Sequence, residues 1–253
     1  MVKKILSIAI WGITAAALIV LFVFARENYL NRPLQSIQLI TETDTGFVRK
    51  AEVREELWQL CGNKSIGTVN MMHIQKQLDR NPWIADNTSY IDLEGTLKVS
   101  YEEYEPQFRV FGKNGRSVYV TKEGVVIPTS RLYTPYVMVA SGNFDIDNET
   151  EAYTLVDTLE SHRNLINALT WFKAIEANDF INNSVGQIYC NSLNEFELTV
   201  KDIGARVIVG DTCLAADKLK RLEIFMKQCP NAESKNMKSI NLNYKNQIVC
   251  TKR

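Results

Sequence analysis

From Ile5 to Ala25 the chain runs for 21 residues without a charge, and only Ser7, Gly12 and Thr14 interrupt its apolar side chains. Coiled as a helix at about 1.5 Å per residue, the run spans about 31 Å, close to the roughly 30 Å hydrocarbon core of a bilayer. Buried helices of soluble proteins seldom stay apolar on every face for so long. Lys3 and Lys4 precede it. By the positive-inside rule, residues 1–4 are expected in the cytoplasm, residues 5–25 in the membrane and everything after Arg26 outside. The competing reading is a cleaved signal peptide with Val23, Phe24 and Ala25 at its processing site, although the apolar run exceeds the roughly 7 to 15 residues such a peptide needs. Both readings export the remainder.

The exported residues outnumber the roughly 100 to 150 of a single typical domain, so two domains are expected. Without Lys3 and Lys4 they carry 27 basic against 29 acidic residues. That near-neutral, mixed-sign surface does not point to nucleic acid. Cys61, Cys190, Cys213, Cys229 and Cys250 are widely spaced, with no CxxC pair and no histidine ladder to suggest zinc. Most are expected to be small buried apolar residues.

Residues 26–33 are short and polar and end at Pro33, which suits a linker. Leu34, Ile37 and Leu39 then mark a strand ending at Thr41, followed by a turn through Asp44 and Gly46. Val53, Leu57 and Leu60 recur at helical spacing up to Gly62, a residue that commonly closes a helix. Asn70 is a good N-cap for a second helix, with Met71, Ile74 and Leu78 on one face and Pro82 as its stop. Trp83 and Ile84 enter a strand, and two arms flank Glu94-Gly95, reaching Tyr90 and Ile91 on one side and Leu97, Val99 and Tyr101 on the other. The order is β-α-α-β-β over 34–104, a sheet with two helices on one face and an available strand edge.

Glu102, Glu103, Glu105 and Pro106 mark a domain change, and strands dominate 105–253. Phe108–Phe111 and Ser117–Val120 flank a turn at Lys113-Asn114-Gly115, and Lys122-Glu123-Gly124 leads to Val125–Ile127. A strand from Tyr136 to Ala140 precedes an acidic loop, Asp145 to Glu151, and Glu151 to Leu159 fits either a helical turn or a loop. Leu165, Leu169, Phe172 and Ile175 predict a helix through Asn178, and strands follow at Val185–Cys190, Phe196–Val200 and Arg206–Val209. Leu219, Leu222 and Phe225 or Met226 predict another helix, with Lys218, Lys220 and Arg221 on its wet side. Ile240, Leu242 and Tyr244 alternate as a strand, Lys245-Asn246 turns, and Gln247–Cys250 forms a closing strand. A terminal strand often lies at a sheet edge, where it can accept a strand from another protein.

Chemistry-bearing patterns are scarce. His73 and His162 sit in no catalytic motif, and there is no GxSxG, GxxxxGK[ST], HExxH or GxGxxG. Glu55-Glu56 and Glu102-Glu103 are neighbours whose side chains diverge, which reads as solvated surface. No catalytic residue, metal ligand or cofactor is therefore expected. Tyr244 reads either as a half-buried aromatic of the closing strand or as an anchor in a strand-addition interface.

In order and spacing, several segments resemble the FtsQ/DivIB cell-division family. They are Ser36-Ile37-Gln38-Leu39 just after the membrane run, Leu78 to Pro82-Trp83-Ile84, and Leu97 to Glu103. Val118-Tyr119-Val120 with Glu123 to Ser130, Val139-Ala140-Ser141-Gly142, and Ile240-Asn241-Leu242-Asn243-Tyr244 continue the resemblance. It implies an α+β architecture: one amino-terminal transmembrane helix, a POTRA domain over 34–104, and a mixed β domain with helices packed on its sheet over 105–253. It further implies a non-enzymatic scaffold in the bacterial inner membrane at the division septum. FtsB-like and FtsL-like coiled-coil proteins would bind by strand addition at Tyr244, Asn246, Gln247, Ile248, Val249 and Cys250, and an FtsK-like translocase would contact the POTRA domain. The alternative is an exported envelope enzyme or a POTRA-type periplasmic chaperone module.

Overall fold

The computed structural model describes residues 2–41, 45–146, 150–155, 162–201, 203–229 and 237–253. Three expectations fall partly outside them: the turn at Asp44, the middle of the acidic loop Asp145 to Glu151, and the end of the segment from Glu151 to Leu159. The chain divides into two compact units, Met1–Glu103 and Tyr104–Arg253.

The first unit holds helix α1 (Val2–Asn31), strand β1 (Ser36–Thr41), helix α2 (Lys50–Cys61), a 3-10 turn at Ile66–Thr68, helix α3 (Met71–Asp79), and strands β2 (Ile84–Ile91) and β3 (Thr96–Glu103). Its sheet has the order β1-β3-β2, with β1 parallel and β2 antiparallel to the central β3. Alternate residues of β3, Leu97, Val99 and Tyr101, are buried along with Val53, Leu57 and Cys61 of α2 and Ile74 and Leu78 of α3. The Asn70 side chain accepts from His73 N, so the predicted cap forms. Gly62 closes α2 in a right-handed conformation. What it supplies there is close approach, because a Cβ would fall 2.5 Å from the Trp58 ring.

The polar linker is the main departure in this unit. Helix α1 continues through Asn31, since nothing between Arg26 and Asn31 breaks a helix and tertiary contacts hold its last turn. Tyr29 Oη donates to Asp92 O at 2.8 Å, Ile66 N to Arg32 O at 2.9 Å, and Leu34 N to Lys64 O at 3.1 Å.

The second unit contains β4 (Pro106–Phe111), β5 (Ser117–Thr121), β6 (Val125–Pro128), β7 (Met138–Gly142), β8 (Tyr153–Thr154), helices α4 (Arg163–Glu176) and α5 (Asp179–Ser184), and β9 (Val185–Cys190). It continues with β10 (Phe196–Val200), β11 (Arg206–Gly210), α6 (Ala215–Gln228), β12 (Met237–Asn241) and β13 (Val249–Lys252). The strands form one mixed sheet in the order β13-β12-β11-β10-β9-β7-β4-β5-β6-β8. The pairs β4–β7, β7–β9 and β11–β12 are parallel, and the others antiparallel.

One core joins this sheet to its helices. Phe108, Val110, Val118, Val120, Ile188, Leu198, Val207, Val209 and Ile240 pack with Leu165, Trp171, Phe172 and Ile175 of α4, Ile181 of α5, and Leu219 and Leu222 of α6. The rings of Phe108 and Phe172 stack with centroids 5.2 Å apart.

Strand β7 begins at Met138, two residues later than expected, and Tyr136 is fully exposed. Pro135 precedes that segment, and the parallel ladder to β4 starts only at Phe108↔Met138. Helix α5 has no signature in the sequence pattern: at six residues it is too short to display a period, and the Asn178 side chain caps it by accepting from Ile181 N. Lys218 also departs from its expected wet face. It is buried and donates to Val209 O and Asp211 O, both at 2.9 Å, and to Asp211 Oδ1 at 2.8 Å.

Candidate partner-binding edge

The final strands are positioned from helix α6. Its apolar stripe of Leu219 and Leu222 sits in the core, and one turn after Lys218 the Arg221 side chain reaches the segment between β12 and β13. There the guanidinium donates to three backbone carbonyls: Nη1 to Tyr244 O and to Gln247 O, both at 2.8 Å, and Nη2 to Leu242 O at 3.0 Å. A rigid fork of donors suits such a cluster of acceptors better than a point charge would. The loop is shaped further by Asn243 N donating to Asn241 Oδ1 at 2.9 Å and by Asn246 at a left-handed φ of 56°. Gly210 is required here, because its φ is +67° and a Cβ would lie 2.1 Å from Asn243 Oδ1.

All six candidate residues fall within this loop and the strand after it. Tyr244 is 52% exposed, and Asn246 and Gln247 are exposed. Val249 is 41% exposed, whereas Ile248 and Cys250 are half-buried against the core. In register, Val249 faces Asn241 and Cys250 faces Ile240. Tyr244, Gln247 and Ile248 are not on strands, contrary to the alternation read from the sequence. Strand β12 ends at Asn241, and Arg221 takes the Leu242, Tyr244 and Gln247 carbonyls that a ladder would otherwise engage. Sequence reasoning placed Arg221 on the solvent side and so missed its role; an amphipathic pattern does not reveal an arginine reaching across to backbone acceptors.

Strand β13 pairs with β12 alone, which leaves its outer backbone edge open among the described strands. At four residues it is twice the length of β8, the strand at the other end of the sheet. Lys252 is its last residue, Lys245 and Arg253 lie to either side, and Arg253 Nη2 donates to Gly204 O at 3.0 Å. The Cys250 thiol is pushed up by burial and, secondarily, by the neighbouring Cys229.

Two concavities elsewhere in the second unit are lined by described residues. A groove of about 580 Å³ lies at the starts of β4, β7 and β9, lined in part by Tyr136, Glu176 and Lys201. Glu176 pairs with Lys122, and Lys201 Nζ donates to Asn183 O. A polar pocket of about 300 Å³ contains Asp145, His162 and Asn164; Asp145 pairs with Lys113, and Asn164 bonds Asn143 O and Asn194 Oδ1. The Cys190 thiol is pushed up to about 11 by burial within the core rather than by a cleft. Among the described residues no cluster of His, Cys, Asp or Glu could hold a metal ion.

A family model described as FtsQ/DivIB, C-terminal related, matches residues 105–251, more than half of the 253-residue chain. The chain belongs to the FtsQ/DivIB C-terminal related family. The match begins just before β4 and ends inside β13, so the FtsQ/DivIB region coincides with the second unit and includes the open edge. No curated protein matches the chain. FtsQ/DivIB proteins are a non-enzymatic cell-division family, which suggests a cell-division role and a septal location here. Helix α1, apolar over the span that begins at Ile10, suggests single-pass membrane anchoring.

Proposed function

We propose that this chain is a membrane-anchored divisome scaffold, with no catalytic function, that binds small coiled-coil membrane proteins of the FtsB and FtsL kind by strand addition at β13. The observation that carries the reading is the open edge of β13 beside a loop whose shape Arg221 fixes. Backbone groups on that edge supply affinity, and exposed Tyr244 and Val249 supply the side-chain contacts. The β-α-α-β-β order and β1-β3-β2 sheet of the first unit support a POTRA domain over 34–104, which contacts an FtsK-like translocase. Short residues 1–4 lie in the cytoplasm and the bulk of the chain lies outside the inner membrane, at the septum. Anchoring confines scaffold and partners to one plane and raises their effective concentration, so a modest strand contact suffices.

The test is capture of partners from solubilised membranes by the full chain, comparing wild type with Val249→Pro and Tyr244→Ala. Proline removes a backbone donor and disfavours strand pairing. Small single-pass coiled-coil proteins should come down with wild type and be depleted with both variants. Equal recovery with a folded Val249→Pro chain would place the contact elsewhere.

A further inference from the structure

The turn between β2 and β3 carries Leu93, which is 84% exposed at the tip of an otherwise tightly bonded hairpin. The Asp92 carboxylate accepts from Glu94 N at 3.0 Å and Thr96 N at 2.9 Å and pairs with Lys98. The tip is also tied to the end of α1. Tyr29 Oη donates to Asp92 O at 2.8 Å, and Gln35 N, just past the helix, donates to Gly95 O at 2.9 Å. On the other side of the helix end Leu30 meets the 3-10 turn, where a Cβ on Gly67 would sit 3.1 Å from Leu30 Cβ. A single exposed leucine is ordinary on a protein surface; what sets this one apart is that its turn is bonded to the end of α1.

The position of the tip along α1 shows where that bonding places Leu93. The uncharged run ends at Ala25, and Tyr29 is four residues on, about 6 Å along the axis. Each headgroup layer is about 5 to 8 Å deep. Helical side chains lean back toward the amino terminus, here toward the bilayer, so the Tyr29 hydroxyl and the Asp92 carbonyl it meets lie within that layer. Leu93 is the next residue. The exposed charges nearby are mixed, Arg26, Arg32 and Lys64 against Glu27 and Glu94, which fits a phospholipid interface in general rather than one anionic lipid.

We propose that the Leu93 turn is a second membrane contact, seated in the outer interfacial layer beside α1, that holds the first unit in one pose on the bilayer. This rests on the anchoring reading of α1 and is independent of what binds β13.

The full chain is reconstituted in phosphatidylcholine vesicles with or without bromine at carbons 6 and 7 of the acyl chains, and tryptophan emission is compared. In wild type, Trp11 within α1 reports insertion. Trp11→Phe should lose most of the bromine quenching, and Trp11→Phe with Leu93→Trp should regain a clear part of it, since a tryptophan at that tip would sit at the interface. If wild type is quenched but the double variant behaves like Trp11→Phe alone, the contact is refuted while the anchor stands. If wild type is not quenched, α1 is not inserted and both readings fall.

Discussion

Replacing Arg221 with methionine keeps most of the side-chain stem while removing all three hydrogen bonds to the loop between β12 and β13. A hydrogen bond from a charged donor contributes about 1.5 to 3 kcal/mol when shielded and much less where water replaces it. The bond to Leu242 O is partly buried, and those to Tyr244 O and Gln247 O are exposed. Assigning about 1.5 kcal/mol to the first and about 0.5 kcal/mol to each of the others makes the clamp worth about 2.5 kcal/mol. If that energy is lost to local opening, hydrogen exchange over residues 242–252 should speed up about 70-fold while α4 stays as protected as in wild type. Arg221→Lys, which can satisfy fewer carbonyls in the same plane, should fall between them. A partner that needs the ordered edge would meet the same cost, so binding should weaken by up to about 70-fold. Exchange over 242–252 within about twofold of wild type in Arg221→Met would refute the clamp, because the loop would then be ordered by its own turn and by β12.

Two further outcomes follow from α6. Lys218→Met should destabilise the second unit by about 1 to 3 kcal/mol, because Val209 O would lose a donor in a buried site, and calorimetry should show the melting temperature falling by several degrees. The Lys218 hydrogen bond holds the Asp211 carboxyl below the usual carboxylate range. A lowered folded pKa contributes stability that is present above about pH 4 and is lost as the pH falls through the folded value. Urea titrations of Asp211→Asn should therefore show a small loss at pH 7 that vanishes in acid. With that side chain 71% exposed, the loss should stay below about 1 kcal/mol; a loss independent of pH would show that Asp211 acts through its geometry alone.

Where burial has a period, the sequence was a reliable guide. Leu165, Phe172 and Ile175 are buried on α4, and Leu97, Val99 and Tyr101 alternate into the first unit as their spacing predicts. Turn chemistry was equally readable, with Gly95, Gly115 and Gly124 all at positive φ between paired strands. What stayed hidden depends on partners distant in sequence. The polar run after Ala25 resembles a stalk until Asp92, 63 positions from Tyr29, is seen to hold it helical. Lys218 and Arg221 resemble a solvated face until backbone carbonyls arrive from β11 and from the final loop. The candidate edge was partly legible: Val249 and Cys250 lie on the terminal strand as expected, but Gln247 and Ile248 precede it, and Tyr244 could be taken off the strand only by knowing where Arg221 reaches.

The two ends of the large sheet differ in length, and this limits how many copies can join through it. A strand docked on β13 gains four residues of ladder, whereas β8 offers two, too few to hold another chain. Growth of this sheet is therefore polar, favouring its β13 end over its β8 end. Among the described strands, this large sheet has no second edge long enough to link copies of it end to end into a ribbon. At high local density in a membrane, a strand added to the large sheet would thus enter at its β13 end rather than at β8.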